Sequence, residues 1–227
     1  MFDFAAKSVV VTGGTSGIGH AIASAFSKAG AKVVAAGLPS GGDSIPNVEM
    51  EIVDVADGEA IARLFEKIPE VHVLVNAAGI IRREEEYGMD VFAHVLDVNL
   101  SGVMRACMAA RSKLAASKGS IVNIASMLSF FGGARAPAYS ASKGGVAQLT
   151  RSLAVAWAAD GIRVNAVAPG WIATPLTSAL QNDAMRSDQL LARTPLGRWG
   201  VPSDIAGPVL FLCSEAASFI TGAIVTV

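Results

Sequence analysis

Tyr139 and Lys143, in the segment Tyr139-Ser140-Ala141-Ser142-Lys143, set a phenol and an ammonium group four residues apart. In a helix that spacing puts both on one face. A free tyrosine titrates near pH 10, too high for proton exchange near neutrality, and an adjacent cation favours the phenolate. Lowering the phenol by roughly three units takes about 4 kcal/mol of differential stabilisation. A partly solvated lysine falls short of that. The chemistry therefore calls for a second positive charge beside the phenol, and the rest of the chain must supply a place for it.

That place is legible at the N-terminus. Ser8 to Val11 is a short apolar, β-branched run, the pattern of a buried parallel strand. Thr12-Gly13-Gly14-Thr15-Ser16-Gly17-Ile18-Gly19 follows, and then an alanine-rich helical stretch from His20 to Ala29, closed by Gly30. Strand, glycine-rich turn and helix are the context a dinucleotide fingerprint requires. Glycines at 13, 17 and 19 let backbone amides approach a pyrophosphate at the positive end of a helix. An oxidised nicotinamide ring would then be the second positive charge.

With these motifs the chain resembles the single-domain short-chain dehydrogenase/reductases, from about residue 7 to the C-terminus. The resemblance is carried by Thr12 to Gly19, Asp54, Asn76-Ala77-Ala78-Gly79 and Asn99 in Asp97-Val98-Asn99. It continues through Ser126 in Asn123-Ile124-Ala125-Ser126, Tyr139 with Lys143, and Pro169-Gly170 with Thr174 beyond. Ser126 and Tyr139 stand 13 residues apart, a separation typical of that family.

The resemblance implies four catalytic residues. Tyr139 is the acid/base, and Lys143 lowers its pKa and binds the nicotinamide-ribose hydroxyls. Ser126 holds the substrate oxygen, and Asn99 holds a water that links Lys143 to solvent. The implied cofactor contacts are Gly13, Thr15, Ser16, Gly17, Ile18 and Gly19, then Gly37 and Leu38 after the second strand. Asp54 (towards the adenine amino group) and Val55 follow, with Asn76, Ala77, Ala78 and Gly79 after the fourth strand. Tyr139, Lys143, Pro169, Gly170, Ile172 and Thr174 complete the set. Ala77 departs from the family's frequent second asparagine, and the family pattern continues past the last strand with an aspartate and two glycines not found here.

Candidate strands at 8–12, 32–36, 49–53, 71–75, 120–125, 162–167 and 223–227 alternate with helices near 19–29, 57–67, 88–116, 139–159 and 203–213. Alternation of this kind predicts an α/β fold: a Rossmann-like, doubly wound parallel sheet of about seven strands with helices on both faces. No linker divides it, so 1–227 reads as one catalytic domain, with a substrate lid over about 171–200. The stretches 102–116 and 144–159 carry few polar residues, more apolar surface than one sheet covers. They predict a homo-oligomer, dimer or tetramer, similar to the family's dimer of dimers.

Composition narrows the function classes. With 227 residues, 52% hydrophobic and a formal net charge of −1, the chain fits neither a nucleic-acid nor a membrane-surface partner. No apolar run approaches the length of a membrane span, and Asp3 and Lys7 interrupt any signal-peptide pattern. Cys107 and Cys213 read as buried free thiols, which predicts a reducing, cytoplasmic location. Three scattered histidines and two distant cysteines give no metal-ligand spacing, so no metal is expected.

Cofactor choice turns on Ala36-Gly37-Leu38-Pro39, which has neither the acid that reads NAD nor the arginine that reads NADP in the family. No Lys or Arg occurs over 33–62 or 8–27, and a 2′-phosphate wants a cation. NAD is therefore favoured over NADP, with Asp43 a further candidate for the ribose. Met127, Leu128, Phe130, Phe131, Trp171 and Leu176 suggest an apolar pocket. Arg82, Arg83 and Arg135 are either carboxylate or phosphate receivers or solvated surface. The expected activity is hydride transfer between a nicotinamide cofactor and a small secondary alcohol or ketone, polyol- or sugar-like. The alternatives are an NADPH-dependent 3-oxoacyl thioester reductase, which needs a cation at the ribose, and a non-catalytic dinucleotide sensor, which needs only the binding half.

Overall fold

The computed structural model describes residues 2–40 and 44–227; Asp43 lies outside the described residues. The apolar runs become seven strands: β1 (Ser8–Thr12), β2 (Lys32–Gly37), β3 (Val48–Ile52), β4 (Val73–Asn76), β5 (Ser120–Ile124), β6 (Arg163–Ala168) and β7 (Ile224–Thr226). They form one sheet in the order β3-β2-β1-β4-β5-β6-β7, every neighbouring pair parallel. Successive side chains of a strand point to opposite faces. Val10, Leu74 and Ile121 accordingly enter one buried cluster, and Val9, Val11, Val73, Val75 and Val122 enter the other.

Helices cover both faces. α1 (Gly17–Lys28) and α8 (Pro202–Cys213) pack on one; α2 (Gly58–Lys67), α4 (Gly102–Ser117) and α5 (Pro137–Trp157) pack on the other. The doubly wound sheet predicted from the alternation is thus the observed architecture. The outer sides of α4 and α5 remain apolar in places: Met108 is half exposed and Val155 is 82% exposed.

Two features depart from the sequence reading. The stretch 88–116 is not one helix: α3 (Met89–Leu96) passes through a π-helical turn, Asp97–Ser101, into α4. The Gly102 amide reaches back five residues to the Asp97 carbonyl there. Such a turn inside a helix often sits at a functional site, and here it carries Asn99. Within 171–200, two short helices appear that were not foreseen, α6 (Ser178–Gln181) and α7 (Ala184–Leu191). The side chain of Asp183 caps α7 through the Arg186 amide.

Candidate active site

Outside the carboxyl ends of β1 and β4, the chain's connections leave for opposite sides of the sheet. Ligands of open α/β sheets bind at such switch points. A cleft of about 660 Å³ opens there.

Its floor is built from backbone. Gly13 has φ +69°, and a Cβ on it would stand 2.4 Å from the Ala78 nitrogen; one on Gly19 would stand 2.1 Å from the Gly13 carbonyl. Only glycines bring these turns so close. α1 starts without help from side chains: Ser16 makes no cap bond, and no acid lies in the first turn. In α2, by contrast, Asp57 accepts from the Glu59 and Ala60 amides. The positive end of α1 therefore faces the cleft with amides for a phosphate. These residues fit a dinucleotide.

Thr15, Ser16, Gly17, Ile18, Gly37, Leu38, Asp54, Val55, Ala77, Ala78, Gly79, Pro169, Gly170, Ile172 and Thr174 line the cleft with Gly13 and Gly19, as do Ser126, Tyr139 and Lys143. Two predicted residues do not. Asn76 lies beneath the floor: its amide donates to Asn123 Oδ1 at 2.9 Å, and its Oδ1 accepts from the Thr12 hydroxyl at 3.3 Å. As the last residue of β4 it points into the sheet's packing, and the chain reaches the cleft only with Ala77. Asn99 is wholly buried behind the wall, where Oδ1 accepts from Ile80 N at 2.8 Å. Its Nδ2 donates to Ile80 O at 2.9 Å and to Ser142 Oγ at 3.1 Å.

Ser126 and Tyr139 line the same cleft, and the Ser126 hydroxyl favours the ionised form of the phenol. Ser126 stands where β5 ends, its Oγ accepting from the Leu128 amide at 3.1 Å. Lys143 Nζ is 5.6 Å from the Tyr139 ring centre and donates to Ile124 O at 2.6 Å. Burial raises the Tyr139 phenol above its ordinary value; the Ser126 hydroxyl and the Arg83 guanidinium draw it down, and the Glu86 carboxylate pushes it up. Burial also lowers Lys143, to about 8. A hydroxyl pair backed by a poised ammonium can pass a proton to or from a ligand oxygen.

The upper wall holds residues that spacing alone did not single out. Ile80 and His94 line the cleft together with Arg82. The signal for His94 was its position four residues before the cleft-lining Val98. Arg83 donates to Leu176 O at 3.5 Å, tying this wall to the segment 171–200, and Leu176 itself lines the cleft. Arg135 instead pairs with Glu84 at 2.7 Å. Phe130 and Phe131 are largely solvent-facing and make no apolar pocket. At the two ends of the segment 171–200, Trp171 and Trp199 meet edge to face at 6.0 Å, and Trp199 Nε1 donates to Ser187 Oγ at 2.9 Å.

Residues 13–227 match the family model described as Enoyl-(Acyl carrier protein) reductase. The chain is 42% identical to 2-dehydro-3-deoxy-D-gluconate 5-dehydrogenase of Bacillus subtilis (strain 168) over 241 residues, covering 100% of this chain and 94% of that protein. Among solved structures it is similar to a putative 2-deoxy-d-gluconate 3-dehydrogenase from Agrobacterium tumefaciens with bound NADP. That likeness has a TM-score of 0.91 and 43% identity, covering 100% of this chain and 96% of the other. A gluconate 5-dehydrogenase from Burkholderia cenocepacia J2315 in complex with NADP and tartrate matches with a TM-score of 0.92 and 31% identity, covering 100% and 95%. The expected preference for NAD finds no support in these two structures, both of which hold NADP.

Proposed function

The chain belongs to the short-chain dehydrogenase/reductase family, and we propose that this NAD(P)-dependent oxidoreductase acts on a secondary hydroxyl of a small, carboxylate-bearing sugar derivative. The observation that carries the substrate class is Arg83. Its guanidinium stands close enough to the Tyr139 phenol for each to bias the other's ionisation. Its one long bond is to Leu176 O, a cleft-lining residue, and a guanidinium fork suits a planar anion. The names of the relatives, most of them sugar-acid or polyol dehydrogenases, point the same way.

The proposed residue roles combine the family resemblance with this geometry. Tyr139 takes the proton from the substrate hydroxyl during oxidation and returns it during reduction. Ser126, which lines the cleft with that phenol, steadies the charge that develops on the substrate oxygen. When bound, the nicotinamide supplies the hydride acceptor or donor and, oxidised, a positive charge. Lys143 would add its own charge and hold the ribose side of the cofactor. Both amide protons of Asn99 are spent, so a relay water finds there the second lone pair of Oδ1 or the carbonyls of the π turn.

Both cofactors are used, with little discrimination. At Gly37 a Cβ would come within 2.7 Å of Thr15 Oγ1, so the space an acid would need is taken by a hydroxyl. Ser40, whose Oγ donates to Thr15 O at 2.5 Å, adds a second neutral group. A 2′-phosphate meets hydroxyls here without a carboxylate to repel it. Each neutral bond contributes about 1 kcal/mol, so NADH and NADPH affinities should lie within about tenfold of each other. Helices α4 and α5, with Met108 and Val155 outward, are the proposed subunit contact. No helix among the described residues is long and apolar enough to cross a membrane, and both cysteines are free, which fits a reducing, cytoplasmic compartment.

The test is a panel of aldonic and 2-keto sugar acids beside neutral polyols, assayed with the native protein and Arg83→Ala. The variant should raise KM for the acids at least tenfold and leave kcat/KM for a polyol within threefold. Equal losses on acids and polyols, or no turnover of acids by the native protein, would contradict the substrate class.

A further inference from the structure

Glu86 closes the run Glu84-Glu85-Glu86, which reads as solvated surface. Its neighbours are exposed, yet Glu86 is wholly buried. Oε1 accepts from the Arg82 amide at 2.8 Å, and Oε2 accepts from the Tyr139 amide at 2.8 Å. Tyr139 is the third residue of α5, and the first amides of a helix have no partner within it. Ala136, at the helix start, gives no side-chain cap. A carboxylate reaching in from the loop after β4 therefore satisfies the turn that carries the phenol, at the helix's positive end. Burying an ionised carboxylate is costly unless it is well bonded, and a cap could have come from a serine at position 136.

The groups that face the phenol come from three elements. Lys143 lies one turn along α5, Ser126 stands at the end of β5, and Arg83 and Glu86 come from the β4–α3 loop. Arg82 and His94 line the same cleft. Resting on the acid/base reading of Tyr139, we infer that Glu86 is a positioning residue for it. One buried carboxylate clamps the arginine loop to the first turn of α5, fixes where the phenol stands and keeps a negative charge beside it. A glutamine can accept only one of the two amides and carries no charge. An aspartate keeps the charge but is too short to hold both.

The experiment compares Glu86→Gln and Glu86→Asp in the full chain, reading kcat for alcohol oxidation against pH and NADPH affinity by fluorescence. Both variants should lose about 10- to 100-fold in kcat, the scale of a misplaced reacting group, with affinity within threefold. Removing the charge favours the phenolate, so the acid limb of the E86Q profile should move to lower pH; that of E86D should stay. An E86Q limb that does not move overturns the inference, whatever its rate. Should E86Q fail to fold, E86D decides: a fall in kcat at unchanged affinity supports the inference, and native kcat overturns it. Activity in Tyr139→Phe would sink the acid/base reading itself, a result separate from either.

Discussion

Asn99 holds both backbone groups of Ile80, accepting from its nitrogen at 2.8 Å and donating to its carbonyl at 2.9 Å. One buried side chain thereby ties the π turn between α3 and α4 to the loop that follows β4. Through Ser142 Oγ, which donates to Tyr139 O at 2.7 Å, the same amide also reaches α5.

Asn99→Ala leaves the part-buried Ile80 amide and carbonyl without their partner. Each such group costs about 1–3 kcal/mol, so chemical denaturation should report a loss of roughly 2–6 kcal/mol. A loss below about 1 kcal/mol would mean that the π turn is held by something else.

Lys143 makes stability depend on pH in a defined window. Burial lowers its pKa from 10.5 to about 8, so between those values the unfolded chain holds a proton that the folded chain has released. Stability contributed by this group therefore rises with pH across the window, by on the order of 3 kcal/mol in full. Cys107 and Cys213, with thiols pushed up to about 12, act in the opposite sense above pH 9. Subtracting the profile of Lys143→Met isolates the lysine. A difference that is flat from pH 8 to 10.5 would contradict the burial cost.

Val155→Glu places a charge on the exposed apolar side of α5. Sedimentation should record smaller assemblies for this variant than for the native chain, with the circular dichroism of the fold unchanged. Identical sedimentation of both would remove the α4–α5 contact.

Much of this was legible in the sequence because it depends on local pattern. The β-branched runs of β1, β4 and β5 are buried on both faces and had no other way to be read. Gly19 is demanded within a single strand–turn–helix unit, where it packs on Gly13, and Gly13 is demanded there by its positive φ. What escaped depends on distant partners. Asn99 breaks its helix because Ile80, 19 residues away, offers two backbone groups. Glu86 is buried because a helix start 53 residues on lacks a cap, and nothing in a run of three glutamates tells which one turns inward. Asn76 follows the family pattern, yet the pairing of β4 with β5 aims it at Asn123, below the cleft. Helices α6 and α7 are too short to impose a period, though Asp183 ahead of α7 was a readable cap.

The phenol of Tyr139 is the centre of the account, and its removal tests it most directly. Tyr139→Phe should lower kcat for oxidation and reduction alike by at least a thousandfold, while NADH and NADPH affinities measured by fluorescence stay within threefold. Turnover within tenfold of the native protein, at unchanged cofactor affinity, would place the proton transfer on another group.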